Sequence, residues 1–238
     1  MLAACTSAVH PQVRAPGLTI DRGELVLTTS DGRVLRSADL VGATLEVGAS
    51  LVRLDAVQTE SRGAGRVLLH RFTAVPVRTQ PAELCTADPA GERWALAVEG
   101  EGGHVQLVCS SGAIGKCIRW GYPPWLDSPR GRAVHDACVR MLRADYGGDG
   151  ATATRDGTRI AFCDRAGVHP CSAAMRNFEA AWSSRGAACV ARPRIPELMT
   201  LEELARRYPQ LSGHLGTACT FVSEVGDDAV ALFSWIPQ

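Results

Sequence analysis

Net charge is missing from this chain: 25 lysine and arginine side chains cancel 25 aspartates and glutamates. That balance removes the basic footprint expected of a nucleic-acid binder. No run approaches the roughly 18 to 20 apolar residues of a membrane-spanning helix. Lysine is nearly absent, since Lys116 is the only lysine among the 25 basic residues. With abundant alanine, glycine and valine, this bias points to a GC-rich bacterial genome. The chain has no Cys-x-x-Cys pair and no histidines at zinc-finger spacing beside its cysteines, so a structural zinc site is unsupported and no cofactor is implied. A Gly-x-Ser-x-Gly nucleophile elbow is also lacking. Heptads, low-complexity tracts and internal repeats do not occur.

What is present is enough apolar sequence, 46% of 238 residues, for one large or two small cores, and the pattern favours two. The opening Met1-Leu2-Ala3-Ala4-Cys5-Thr6-Ser7 resembles a bacterial lipobox, whose cysteine is acylated and becomes the mature N-terminus. A full signal adds a basic segment and an apolar stretch of about 7 to 15 residues, so the expectation is a late start at Met1, a lipid attachment at Cys5 and a membrane surface as partner. Cysteine arithmetic agrees. Nine cysteines become eight once Cys5 is set aside, namely Cys85, Cys109, Cys117, Cys138, Cys163, Cys171, Cys189 and Cys219. Eight scattered cysteines in an oxidising compartment read as four disulfides. Of the 105 connectivities open to eight cysteines, only two pairs look local, Cys85 with Cys109 and Cys163 with Cys171.

Residues 6–16 carry prolines and no periodicity, and read as a tether. From 17 to 112 short β-favouring runs alternate with turns: Glu24 to Thr28, Val34 to Leu35, Leu45 to Val47, Leu51 to Val57, Val67 to Val77, Trp94 to Val98 and Val105 to Cys109. Ser30-Asp31-Gly32 supplies the positive φ a hairpin needs. This predicts a small β-sandwich or barrel. Residues 113–238 read as an α+β unit. A helix capped by Ser128-Pro129 places Val134, Cys138, Met141 and Leu142 on one face and ends near Tyr146. A second helix is expected from Ser172 to Gly186, with Met175, Phe178 and Trp182 on one face. The third begins at the capping box Thr200-Leu201-Glu202-Glu203, with Met199 and Leu204 as its hydrophobic staple, and Pro209 ends it. Strands around Cys189-Val190 and from Ala229 to Trp235 complete the unit.

Gly112 to Trp125, then Ala137 to Tyr146, Thr154 to Thr158 and Phe178 to Trp182 together resemble the ADYC-domain family over about residues 80–219. The resemblance implies an exported bacterial protein and carries no activity with it. The motif that names the family is Ala-Asp-Tyr-Cys, and here Gly147 follows Ala144-Asp145-Tyr146. A family bridge or nucleophile at that position would be lost. Gly147 is instead expected to close the helix in the left-handed conformation, with Asp145 and Tyr146 held near the Trp120 loop.

Few residues suggest chemistry. Asp145, Asp149 and Asp156 surround a glycine-rich loop, and such carboxylates attract hard cations, but aspartate and glycine also dominate ordinary turns. Turn chemistry is the default and no metal is assigned. Lys116 is a candidate base or nucleophile if buried, and a surface charge otherwise. His135 and Asp136 are adjacent on a helix, about 100° apart, and cannot form a dyad with each other. Glu179 is a candidate acid or base beside a solvated-face reading. Trp120, Tyr122 and Trp125 form the densest aromatic feature: exposed they would stack on a sugar ring or a peptide, and buried they would plug the junction between the halves. The reading is an exported, lipid-anchored envelope protein acting as a noncatalytic binding or interaction module for a glycan or protein ligand. The alternative is an extracellular hydrolase using Lys116, His135, Asp145 or Glu179 in a cleft beside the Trp120–Trp125 loop.

Overall fold

The computed structural model describes residues 12–13, 17–48, 50–62, 65–75, 82–126, 131–172, 176–221 and 230–237. Cys5, Ser128-Pro129, Met175 and Ala229 lie outside them. The architecture is α+β, and the chain divides into two compact units, Met1–Lys116 and Cys117–Gln238. The division falls inside α1 (Ala113–Arg119).

Among the described residues the first unit has ten strands: β1 (Gln12–Val13), β2 (Leu18–Asp21), β3 (Glu24–Thr28), β4 (Val34–Arg36), β5 (Thr44–Val47), β6 (Ser50–Arg62), β7 (Gly65–Ala74), β8 (Ala82–Glu83), β9 (Ala95–Glu99) and β10 (Val105–Cys109). One sheet runs β1-β5-β6-β7-β9-β10, with β8 also on β7, and a second runs β2-β3-β4. Within the stretch read as a tether, Gln12 and Val13 pair in parallel with Thr44 and Leu45, and the rest of 6–16 lies outside the described residues. Two residues of partner-supplied pairing leave no periodicity to read. Along β3 the alternation is strict: Leu25 and Leu27 face inward while their neighbours face out, as a half-buried strand requires. They meet Leu45, Val52, Leu54 and Phe72 from the larger sheet, so the two sheets enclose one core. Asp31-Gly32 turns β3 into β4 with Gly32 at φ 82°. A register shift between Leu54 and Ala56 marks a bulge in the long β6–β7 hairpin, the device that adds twist and bend to such a ribbon.

The second unit contains α2 (Gly131–Arg143), β11 (Ala161–Asp164), β12 (Phe178–Ser183), β13 (Gly186–Val190), α3 (Leu201–Arg207) and β14 (Leu232–Trp235), with an antiparallel sheet in the order β11-β14-β12-β13. The amphipathic stripe of α2 buries Cys138 and Met141 in a core shared with Ala180, Trp182 and Leu232 on one face of the sheet. On the other face Cys163, Ala181, Phe233 and Trp235 form a second cluster. Thr200 caps α3 by accepting from Glu203 N–H at 3.1 Å, and Met199 and Leu204 are buried together as the staple.

The helix expected over Ser172–Gly186 is a β-hairpin instead, β12 turning into β13 at Ser184-Arg185. Phe178 and Trp182 are four residues apart, a spacing a helix would use. Residues 179–183 are all buried, however, in a strand sandwiched on both faces. Such strands show no alternation and cannot be told from helices by periodicity.

Four disulfides join Cys85 to Cys109, Cys117 to Cys138, Cys163 to Cys171 and Cys189 to Cys219. The two local pairs read from spacing are among them. Each contributes roughly 2 to 4 kcal/mol by restricting the unfolded chain, and four together belong to an oxidising compartment outside the cytoplasm. No helix among the described residues is long and apolar enough to cross a membrane.

Candidate functional site

Polar chemistry in the second unit concentrates where α2 ends. After Arg143 the chain leaves the helix through Ala144, at φ 50°. The Asp145 carboxylate then accepts from Gly148 N–H at 2.9 Å and Gly150 N–H at 3.0 Å, and pairs with Arg140 at 2.5 Å. Arg140 also donates to the Ser184 carbonyl in the β12–β13 turn at 2.6 Å. Asp145 thus organises the glycine loop and ties it, through Arg140, to the sheet.

Tyr146 turns the other way, into the core. Its ring stacks on Trp182 with centroids 5.3 Å apart. Its hydroxyl donates to Glu179 Oε1 at 2.9 Å and accepts from Arg194 N–H at 2.7 Å. Glu179 Oε2 receives Arg194 Nε at 3.2 Å, Arg194 Nη2 at 3.1 Å and the Ser234 hydroxyl at 3.0 Å. Ser234 in turn accepts from Trp182 Nε1 at 2.8 Å. Arg194 further donates to the Met141 and Leu142 carbonyls at the end of α2, at 2.7 and 3.1 Å, filling acceptors that a helix terminus leaves open. Glu179 is 0% exposed and Arg194 6%, so a charge pair stands inside the core, matched donor for acceptor. Burial, then the Glu179 charge, pushes the Tyr146 phenol far above its ordinary pKa, which keeps it neutral and able to donate.

A second constellation holds the aromatic loop. Tyr122 is buried and donates to Asp164 at 2.6 Å. Asp164 also accepts from Val168 N–H at 3.2 Å and His169 N–H at 2.6 Å. His169 Nε2 reaches the Trp120 carbonyl at 2.8 Å, and the half-buried Trp120 ring stacks on Phe162 at 4.6 Å. His135 Nδ1 meets the Tyr122 carbonyl at 2.7 Å, and burial lowers the pKa of its imidazole. Burial raises the Tyr122 phenol, and the Asp164 hydrogen bond raises it further. Trp125 is half-buried.

The remaining candidates stand apart. Lys116 is exposed at the end of the first unit. Asp149 accepts from Ala151 N–H at 2.9 Å, Arg207 at 3.1 Å and the Tyr208 hydroxyl at 3.1 Å. The backbone bond from Ala151, ahead of the side-chain donors Tyr208 and Arg207, lowers the Asp149 pKa. Asp156 is exposed beside Gly157. Among the described residues no three of His, Cys, Asp and Glu are grouped to hold a metal ion.

Two expectations about the Ala144–Gly147 run need correction, the second only in part. Gly147 does not take the left-handed conformation, which falls to Ala144 at φ 50° and Gly148 at φ 75°. The hydrogen bonds of Asp145 and Tyr146 go to the glycine loop, Arg140, Glu179 and Arg194 rather than to the Trp120 loop, whereas the expected packing is there, since Tyr146 shares one core with Tyr122 and Trp120 lies against it. Sequence reasoning missed Arg194, Ser234, Asp164 and His169. Arg192-Pro193-Arg194 looks like an exposed basic turn, and nothing in its spacing marks Arg194 for the core.

A model of the ADYC domain matches residues 37–196. The chain belongs to the ADYC-domain family. No curated protein and no solved structure matches it. The ADYC match starts earlier and stops earlier than the resemblance over about 80–219. It begins at Ser37 and ends two residues after Arg194, so it includes Asp145, Tyr146, Glu179 and Arg194. It leaves out Ser234 on β14 and the Cys219 end of the fourth bridge.

Proposed function

We propose that this ADYC-domain protein is a bacterial envelope protein, anchored to a membrane surface through acylated Cys5, that binds a glycan or protein ligand without catalysing a reaction. The family and the four bridges support export. The observation that carries the noncatalytic half is the Glu179 carboxylate. Both its oxygens are occupied by donors from Tyr146, Arg194 and Ser234, at full burial. A general acid or base must reach its substrate's proton, and this carboxylate faces only its own fold. Asp145 is committed to two loop N–H groups and Arg140, and His135 to the Tyr122 carbonyl. Binding falls to the aromatic loop, where Tyr122 is the buried post and the half-buried Trp120 and Trp125 supply the contact.

Two measurements test the reading. Chromogenic ester, amide and glycoside substrates should show no turnover above the protein-free rate. Turnover that Glu179→Gln abolishes without changing the melting temperature would overturn the noncatalytic claim. Oxidised protein should be retained on insoluble bacterial cell-wall polymer or on envelope vesicles, and Trp125→Ala should weaken retention roughly ten-fold, the worth of one stacked aromatic. Equal retention of both proteins would remove the aromatic loop from the proposal. Mass spectrometry of membrane-derived protein should find diacylglyceryl-Cys5 as the first residue, and an unmodified Cys5 would contradict anchoring.

A further inference from the structure

The eight bridged cysteines are not equally accessible. Cys85, Cys117, Cys138, Cys163 and Cys219 are buried, Cys109 and Cys189 half-buried, and Cys171 is exposed. Cys171 is bonded to Cys163, which is fully buried on β11, so one bridge has an inner and an outer end. The loop it closes, 164–170, carries the groups that hold the aromatic segment. Asp164 receives the Tyr122 hydroxyl, His169 meets the Trp120 carbonyl, and Val168 lies against Gly121, where an added Cβ would stand 3.0 Å from Val168 Cγ1. The aromatic segment is also held by His135, by its own turn bonds (Gly121 N–H to Ile118 O, Tyr122 N–H to Cys117 O and Leu126 N–H to Pro123 O), and by Tyr122 in the core beside Cys138 and Met141.

We propose that the Cys163–Cys171 bridge is a reducible latch: a dithiol opens it ahead of the other three, and opening loosens the Trp120–Trp125 segment while the α2 and β12 core stays folded. Access decides which sulfur is attacked. A thiolate of the dithiol attacks Cys171 Sγ, the Sγ–Sγ bond breaks, and Cys163 leaves as a thiolate that takes up a proton. The second thiol of the reductant then attacks the mixed disulfide and releases Cys171 as a thiol. The dithiol is oxidised by two electrons to its own disulfide, and the bridge is reduced by the same two. Asp164 stays in the β11–β14 ladder and Arg165 N–H stays on the Ala231 carbonyl, while the 168–170 end of the loop loses its covalent tie, so the His169 bond to the Trp120 carbonyl and the Val168 contact with Gly121 loosen first. Val168 of this loop packs against the α2 and β12 core, but the core has further ties of its own. Cys117–Cys138 still clamps α2 from within, and Glu179 and Arg194 still join β12 to the end of α2. The latch concerns the mobility of the segment and stands apart from what the segment binds.

The test uses oxidised wild-type protein and limiting dithiothreitol, with iodoacetamide quenching, peptide mapping and hydrogen exchange of the quenched product. Cys163 and Cys171 should be alkylated together, roughly ten-fold or more faster than the other six cysteines. In that product the amides of Gly121, Tyr122 and Leu126 should exchange faster, and those of α2 and β12 should not change. First reduction at another pair, unaltered exchange at 121–126, or loosening throughout the unit would each overturn the proposal. Cys163→Ser/Cys171→Ser provides the second arm. It should fold and show the same local loosening without reductant, and failure to fold would mean that the bridge is a required staple and not a latch.

Discussion

A Cβ at position 147 would stand 2.0 Å from Tyr208 Cε1 and 2.2 Å from Cζ, so the absence of a side chain there is what lets the Tyr208 ring settle over the loop. That ring is 6% exposed and its hydroxyl bonds Asp149. Gly147 matters through close approach and not through its dihedral angles, while Gly148 does the left-handed turning. Gly147→Ala and Gly147→Cys should each destabilise the second unit by about 1 to 3 kcal/mol, the usual cost of overpacking. Tyr208→Ala should cost stability by itself, yet combined with Gly147→Cys the losses should be less than additive, because the smaller residue removes the collision. Strict additivity in chemical denaturation would contradict the packing account. Which glycine turns and which makes room was not legible in Gly147-Gly148, since the sequence shows neither Tyr208 nor the Arg185 carbonyl that crowds Gly148.

Elements differ in how much of their cause is local. Thr200 and Glu203 fix the start of α3 within four residues, and Asp31-Gly32 fixes the β3–β4 turn, so both could be read directly. The β12–β13 hairpin owes its form to α2 on one side and the Phe233 cluster on the other, so it could not. The short 3-10 turn Ser37–Leu40 is held by a distant contact of the same kind. Ser37 Oγ accepts from Leu25 N–H at 2.8 Å and hydrogen-bonds His70 Nε2 on β7 at 2.9 Å. His70 is fully buried and its Nδ1 makes no hydrogen bond of ordinary geometry, although the Ala95 carbonyl lies close enough to favour the charged form slightly. Desolvation dominates and pushes its pKa down to about 4. The neutral form is the folded form, so this contribution to stability is complete above the unfolded value near 6.5. It falls as the unfolded state binds the proton first, and is fully lost below about 4. The whole loss is on the order of 3 kcal/mol. Urea unfolding of wild type and His70→Gln at pH 7 and at pH 4.5 should show a smaller acid penalty for the variant. Equal penalties in both proteins would remove His70 as a cause.

Across the whole molecule, fold class, oxidising compartment and the two short-range bridges were readable because composition and nearby cysteines carry them. Cys117–Cys138 and Cys189–Cys219 were not, since their approach depends on α1 meeting α2 and on a chain returning to β13. The polar residues tell the same story. Asp145 and Glu179 stood out as acids, but their roles come from Arg140 and Arg194, and nothing in the sequence ties Arg194 to a strand residue 15 positions earlier. Together they carry the central proposal, that the charged groups around the Ala144-Asp145-Tyr146 run serve to build the second unit rather than to perform a reaction. Thermal melting of wild type, Glu179→Gln and Asp145→Asn, each with excess Ca²⁺ and with chelator, tests it most directly. Glu179→Gln leaves the Arg194 charge unpaired in the core and should cost about 3 to 5 kcal/mol, roughly 10 °C or more for a unit of this size. Asp145→Asn should cost about 1 to 3 kcal/mol, and none of the three melts should respond to Ca²⁺. A Glu179→Gln protein that melts with wild type, or a large Ca²⁺ stabilisation that Asp145→Asn abolishes, would contradict the account.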